Sequence, residues 1–295
     1  MAAAPLAVGL VGAGPWAQWV HAPMLAAGPE TRLAGVWARR PEAAAELAGK
    51  HGVPSFDRFE ALLDGCEAVA FAVAPQAQPE LAMTAARAGK ALLLEKPIAD
   101  SVDEARRLAD AVGQAGVGSI VVLTYRFSDG VRRFLAEAPA FGAIGGRATF
   151  LSGAFLGGPF AASPWRQQPL AALRDVGPHV LDLVDAALGP VVDLTGRAGE
   201  GGWVSLSLVH DSGAVSDVSM CCRAAIADSR TEVELFGPNG VLAIDARADT
   251  GPGVFATLRA DFAEVARSGA SHPSDVHRGL YLQELVERAL AAVTA

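Results

Sequence analysis

The chain has 295 residues, 51% of them hydrophobic and 19% charged, with a formal net charge of −8 at pH 7. Single cores seldom grow beyond about 250 residues, so two domains are expected. The acidic balance without a basic stripe argues against nucleic acid as the main partner, and no apolar run reaches the roughly 20 residues of a bilayer span.

Met1–Ala4 leads directly into a strand, with no basic n-region or long apolar h-region, so no signal peptide is expected. Cys66, Cys221 and Cys222 are too few for a disulfide framework, and the adjacent pair would point to opposite faces of a strand. A reduced, cytoplasmic protein is the expectation. The six histidines are scattered and form no cluster with ligand spacing, so no metal is expected.

In chain order, Leu6–Val11 reads as a buried strand, followed by Gly12-Ala13-Gly14-Pro15-Trp16-Ala17 and a helical stretch to about Ala27. This is the G-x-G-x-x-G/A pattern between a strand and a helix. Gly12 permits the tight turn, Gly14 lets backbone approach a pyrophosphate, and Ala17 is small enough for close helix–strand packing. The second strand, Leu33–Trp37, ends in Ala38-Arg39-Arg40 where an NAD-binding chain usually carries an acid. No carboxylate competes with a phosphate there and Arg39 can grip one bidentately, which favours NADP over NAD, with NAD still possible.

Pro41 opens a helix to about His51, and Phe59–Leu63 is a short helical turn. Ala68–Val73 reads as the fourth strand, Gln78–Ala88 as a helix closed by Gly89, and Ala91–Leu94 as the next strand. The capping box Ser101-Val102-Asp103-Glu104 starts a helix ending near Gly116, and Ser119–Thr124 supplies a sixth strand. Strands alternating with helices define a doubly wound parallel sheet ending near Leu123. The Ala91–Leu94 run stops abruptly at Glu95-Lys96-Pro97, and ligands of such sheets bind beyond the carboxyl ends of strands. Pro97 restricts Lys96 to extended geometry.

The fingerprint, the Gln78–Lys90 helix and the Glu95-Lys96-Pro97 strand end together resemble the Gfo/Idh/MocA oxidoreductases, the glucose–fructose oxidoreductase and inositol dehydrogenase family. The resemblance implies that Lys96 lies near the nicotinamide and contacts the reacting oxygen, with a cis bond to Pro97. It implies a cofactor lining that includes Ala74, Pro75, Gln78 and Glu95. Where the family often has histidine in a Pro-x-x-His pattern, Pro75-Gln76-Ala77-Gln78 has Gln78.

Beyond the junction, Tyr125-Arg126-Phe127 resembles the family's Arg-Phe turn, and Arg126 is read either as facing the cleft or as bracing the interdomain corner. Asp129–Ala138 reads as a helix and Ala148–Phe155 as a strand. Trp165 and Arg166 resemble a Trp-Arg pair that approaches the cofactor. Leu173, Val176, Val180, Leu183, Val184 and Leu188 fall at helical period, which puts Asp175 and His179 on one face with Asp182 three residues on. A carboxylate beside an imidazole orients the ring and raises its proton affinity, suiting it to general acid/base work. Asp175, Gly177, His179 and Asp182 match the family's Asp-x-Gly-x-His-x-x-Asp pattern, which implies that Asp175 and His179 act with Lys96 at a substrate hydroxyl or carbonyl. The glycine-rich run usual before this Asp is replaced by Pro169-Leu170-Ala171-Ala172, implying a different pocket wall.

Trp203–His210, Ala214–Cys222, Thr231–Phe236 and Val241–Asp245 read as a β meander, and Phe255–Arg267 and Asp275–Ala292 as closing helices. The expectation is an α/β chain: a Rossmann domain over 1–123, and over 124–295 an α+β domain with an open, mostly antiparallel sheet for substrate binding and oligomerisation. The resemblance implies an NADP-preferring oxidoreductase of a sugar, cyclitol or related hydroxy/keto compound, assembled as a homodimer or homotetramer through that sheet. Either His179 takes the hydroxyl proton while Lys96 stabilises the oxygen, or Lys96 moves the proton and His179 orients substrate. The alternatives are a non-catalytic dinucleotide-binding regulator and an enzyme that retains its cofactor and cycles hydride within one site.

Overall fold

The computed structural model describes residues 4–157, 161, 164–168, 170–251 and 253–294. They form two compact units, Met1–Val122 with Phe255–Tyr281, and Leu123–Val254 with Leu282–Ala295.

In the first unit, β1 (Leu6–Val11), β2 (Thr31–Trp37), β3 (Ala68–Phe71), β4 (Ala91–Leu94) and β5 (Ser119–Val121) make one parallel sheet ordered β2-β1-β3-β4-β5. Every residue of β1, β3 and β4 is buried, which is why their sequences are unbroken apolar runs rather than alternating ones. The chain leaves β1 toward β2 and returns on the other side at β3, so the β1/β3 boundary is the topological switch point. These five strands stand at the five stretches that the sequence reading placed, although it numbered the last of them the sixth. Between β2 and β3, among the described residues, there is only an isolated bridge from Ser55 to Val36. The last strand stops at Val121, because Thr124–Phe127 turns as a 3-10 helix instead of continuing the ladder.

The connecting helices are α1 (Ala22–Ala26), α2 (Pro41–His51), α3 (Phe59–Asp64), α4 (Gln78–Arg87) and α5 (Val102–Ala115). Their ends follow local chemistry. Pro41 sits in the first turn of α2, the Ser101 hydroxyl accepts from the Glu104 N–H to cap α5, and Gly116 closes α5 at φ 64°. The segment Phe255–Tyr281 joins this unit through Arg259, which donates to Glu30 at 3.0 Å, the Met24 carbonyl at 3.3 Å and the Gly28 carbonyl at 3.0 Å. Burial pushes the Glu30 carboxyl up, but its own backbone N–H and Arg259 outweigh that and hold it below its usual value.

The second unit is built on six strands, β6 (Gly145–Leu151), β7 (Val191–Ala198), β8 (Val204–His210), β9 (Val215–Cys221), β10 (Arg230–Gly237) and β11 (Gly240–Asp245), ordered β11-β10-β6-β9-β8-β7. All neighbours are antiparallel except β6 and β9. Leu206, Leu208, Val218, Met220, Val233 and Leu235 bury one face. The remaining helices are α6 (Asp129–Phe141) and α7 (Ala171–Leu188) of this unit, α8 (Gly253–Ser268), most of which belongs to the first unit, and α9 (Val276–Thr294), whose part from Leu282 belongs to the second; α7 lies against β6, β8, β9 and β10. The sequence reading had no strand at β7. Gly196 faces inward there with no side chain, since a Cβ would come within 2.6 Å of Leu206 and 2.8 Å of Val293, and the apolar alternation is lost. No helix of the described residues is long and apolar enough to cross a membrane.

Candidate active site

In the first unit the fingerprint turn leaves the end of β1 at the switch point. Gly12 has φ +113°, and a Cβ on it would lie 2.3 Å from the Ala72 carbonyl oxygen, so no other residue fits without displacing backbone. Gly14 differs: a Cβ there would meet nothing within 4 Å. Its bareness serves no internal packing and leaves an open approach to the backbone of Ala13 and Gly14. Ala17 is fully buried, as close helix–sheet contact demands. Pro15 is exposed and Trp16 half-buried. This cradle fits a dinucleotide pyrophosphate, which needs backbone approach and free N–H groups rather than side chains.

Beyond β2, Ala38 is half-buried, and Arg39 and Arg40 are exposed at the start of α2. Neither guanidinium pairs with a carboxylate among the described residues, so both positive charges are available to a ligand. Ala74 is exposed and Pro75 buried in the turn that precedes α4.

At the end of β4, Glu95 is 9% exposed and Lys96 half-buried, and the Lys96–Pro97 bond is cis, as the family resemblance implied. Gln78 occupies the position where the family's histidine was expected, and its amide clamps this turn. The Nε2 donates to the Glu95 carbonyl at 2.8 Å and the Ile98 carbonyl at 3.1 Å, and the Oε1 accepts from the Glu95 N–H at 2.8 Å. A single histidine nitrogen could not serve three backbone groups this way. One Glu95 oxygen receives both the Trp16 indole N–H at 2.7 Å and His21 Nε2 at 2.8 Å. The sequence reading missed His21. Its only signal was a polar side chain on the buried face of the fingerprint helix.

In the second unit the apolar stripe of α7 seats the helix on the sheet, and Gly177 lets it approach α9, since a Cβ there would meet Leu173 at 3.1 Å and Val286 at 3.6 Å. Asp175 and His179 lie one turn apart on α7. The buried Asp175 carboxylate accepts from Arg166 Nε at 2.7 Å and Nη2 at 3.4 Å. Asp182, 1% exposed, accepts a bidentate pair of bonds from Arg126. Asp182, three residues after His179, also anchors an arginine more than fifty residues earlier.

His179 is half-buried and meets the Tyr125 ring edge-on, with centroids 5.4 Å apart. The Tyr125 hydroxyl bonds Thr231 Oγ1 at 2.9 Å, and burial pushes its phenol up, so it stays neutral. Pro169 and the side chain of Trp165 lie outside the described residues. Leu170, next to them, carries φ 59° at the start of α7, a left-handed conformation that explains why glycine is usual at that turn. Among the described residues no three His, Cys, Asp or Glu side chains gather as a metal would require.

Residues 6–122 match the model of a family described as "Oxidoreductase family, NAD-binding Rossmann fold". The chain is similar to a levoglucosan dehydrogenase from Pseudarthrobacter phenanthrenivorans, 29% identical over 159 residues, which are 50% of this chain and 40% of that protein. It is also similar to a D-apiose dehydrogenase from Paraburkholderia graminis, 33% identical over 181 residues, which are 55% of this chain and 46% of that protein. The matched stretch thus spans less than half the length of either curated relative. In fold it is similar to GenD2 from gentamicin A biosynthesis, solved in complex with NAD, with TM-score 0.85 at 20% identity over 99% of this chain and 95% of that one. Over residues 6–122, with their intact Gly12–Ala17 turn and Lys96-Pro97 strand end, the chain carries the NAD-binding Rossmann fold that this family model describes.

Proposed function

We propose that the protein is an NADP-preferring oxidoreductase that moves a hydride between the nicotinamide cofactor and a sugar, cyclitol or related hydroxy/keto compound. The observation that carries this reading is the switch-point cradle of Gly12 and Gly14, joined through Trp16 and Glu95 to the strand end that bears Lys96. The substrate class rests on the curated relatives, which are named for a sugar anhydride and a branched pentose. The preference for NADP rests on Arg39 and Arg40, which offer a 2′-phosphate two guanidinium groups and no competing acid.

In this reading the first unit holds the dinucleotide and the second the substrate. Ala13 and Gly14 offer backbone N–H groups to the pyrophosphate. The bound nicotinamide supplies the hydride chemistry. In the oxidation direction His179 takes the substrate hydroxyl proton, steadied by Tyr125 packing and by Asp175 one turn away. The Lys96 ammonium can donate a hydrogen bond to a reacting oxygen and stabilise the charge that develops on it. Arg166 donates to Asp175 and holds its carboxyl group in place.

The outer face of the six-stranded sheet supports self-association. Cross-strand register lines up Val241, Phe236, Gly145, Val215 and Val209 as one row, with Val192 exposed beside its end. The next outward row carries Glu234, Arg147 and Asp217. An apolar row beside a row of both signs is self-complementary, so a second copy of the chain is the partner it fits.

The test is NADP-linked turnover, followed by absorbance, over a panel of sugars, cyclitols and keto-sugars, with NAD run alongside. Lys96→Ala and His179→Ala are expected to abolish turnover while dinucleotide affinity changes little. Near-wild-type turnover in both variants would overturn the assignment, and tight NADPH binding with no turnover of any compound would favour a regulator.

A further inference from the structure

We propose that His21 is a positioning residue for Lys96, acting through Glu95, and that with Trp16 it couples the dinucleotide loop to the lysine. This inference rests on the function proposed above. Glu95 is the residue before Lys96, and a carboxylate as buried as this one needs compensating donors. It has two on the same oxygen, the Trp16 indole and His21 Nε2. The indole N–H can only donate, so this Glu95 oxygen is an acceptor, and His21 Nε2 beside it is placed to give the second bond. His21 Nδ1 is buried and without a hydrogen-bond partner among the described residues. The fold tolerates that unsatisfied atom, which points to selection for what the other nitrogen holds.

The backbone is shaped for the same purpose. Trp16 and His21 are five residues apart, and on a regular α-helix they would point about 140° away from each other. Here Ala17–His21 forms a π turn, closed by the Ala22 N–H donating to the Ala17 carbonyl. A π turn stacks residues five apart, so both side chains reach one oxygen. Such turns are uncommon and concentrate at functional sites.

The other side of the lysine turn is held by Gln78, which takes both backbone groups of Glu95 and the carbonyl of Ile98. The main chain around Lys96 is therefore fixed at Glu95 and Ile98, and the side chain of Glu95 ties it to the loop on which a pyrophosphate would rest. Placement of a reacting group to within about an ångström is worth up to about a hundredfold in rate, which sets the scale of the effect.

The experiment compares wild type, His21→Ala and His21→Gln, because the glutamine amide N–H can stand in for Nε2. Three readouts are taken on each: the thermal midpoint, kcat and KM at saturating NADP, and modification of Lys96 by an acetic anhydride pulse, read by mass spectrometry with and without NADP. The expected result for His21→Ala is kcat lower by about tenfold to a hundredfold with substrate KM nearly unchanged. Lys96 also becomes more readily acetylated, and NADP no longer protects it. His21→Gln restores most of both. Unchanged kcat and unchanged acetylation in His21→Ala would overturn the proposal. So would equal losses in both variants that follow the thermal midpoint, because His21 would then be only a core residue. If wild type turns over no compound of the panel, the functional reading fails separately, and the acetylation pattern alone decides the positioning role.

Discussion

Arg126 and Asp182 meet as a two-point ion pair, with Nε donating to Oδ2 at 2.6 Å and Nη2 to Oδ1 at 3.0 Å, and with the carboxylate almost wholly buried. The pair joins the 3-10 turn Thr124–Phe127 to the middle of α7, three residues past His179. Removing one partner strands a buried charge. Asp182→Asn and Arg126→Ala should therefore each destabilise the protein by about 3–5 kcal/mol. Replacing both by apolar residues, as in Arg126→Met with Asp182→Leu, should recover most of that loss. Chemical denaturation of the three variants checks it, and a double variant no better than its parents would contradict the argument.

Gly12 and Gly14 belong to one motif but answer to different constraints, and alanine should separate them. Gly12→Ala forces a side chain into a positive-φ site 2.3 Å from the Ala72 oxygen, so it should lower stability by more than about 1–3 kcal/mol and abolish dinucleotide binding. Gly14→Ala meets nothing within 4 Å, so its thermal midpoint should stay close to wild type while dinucleotide affinity falls. Calorimetric titration with NADP beside a thermal scan distinguishes the two. A Gly14→Ala variant that binds normally would mean that the open approach at Gly14 is not where the pyrophosphate lies.

Much of this architecture was legible because it depends on local rules. Buried parallel strands read as apolar runs, Pro41 and Ser101 mark helix starts, and the stripe on α7 gives its period directly. The five stretches read as strands in the first half each lie on a ladder, whereas β7 was missed because Gly196 erases the alternation. The site was legible as a set of residues and less so as a set of pairings. Spacing brought Asp175 and Asp182 near His179, but it gave no sign that both carboxylates also accept pairs of bonds from arginines, one of them in a distant turn. His21 shows why: its partner Glu95 is 74 residues away, and only the folded sheet brings them together.

Arg39 and Arg40 carry the expected choice between cofactors. A charge-assisted bond to phosphate contributes about 1.5–3 kcal/mol, or roughly tenfold to a hundredfold in affinity. Arg39→Ala should raise the KM for NADP by about that factor and leave the KM for NAD nearly constant, with Arg40→Ala following in the same direction. Steady-state kinetics with both dinucleotides provides the check. Equal changes for NAD and NADP would show that the arginines do not read the 2′-phosphate.

The outward row of the six-stranded sheet gives the last prediction. Val215 is 47% exposed and Val241 57%, and the rows on the opposite face of these strands form the core. Neither valine packs internally to an extent that would make its loss unfold the chain, so substitution at either should change stability by only about 0.5 kcal/mol. The row nevertheless crosses β11, β10, β6, β9 and β8 without a charge, ending beside exposed Val192. A lysine introduced at Val215 or Val241 would face its own copy across a two-fold axis and would be buried there without a partner. Val215→Lys and Val241→Lys should therefore each convert an assembled protein to monomers, measured by light scattering after size exclusion. Their thermal midpoints would fall only by the contribution of the lost interface. Wild type that runs as a monomer at micromolar concentration would remove the second copy as the partner of this face. Monomeric variants with intact NADP binding would place assembly in the sheet, apart from the dinucleotide cradle.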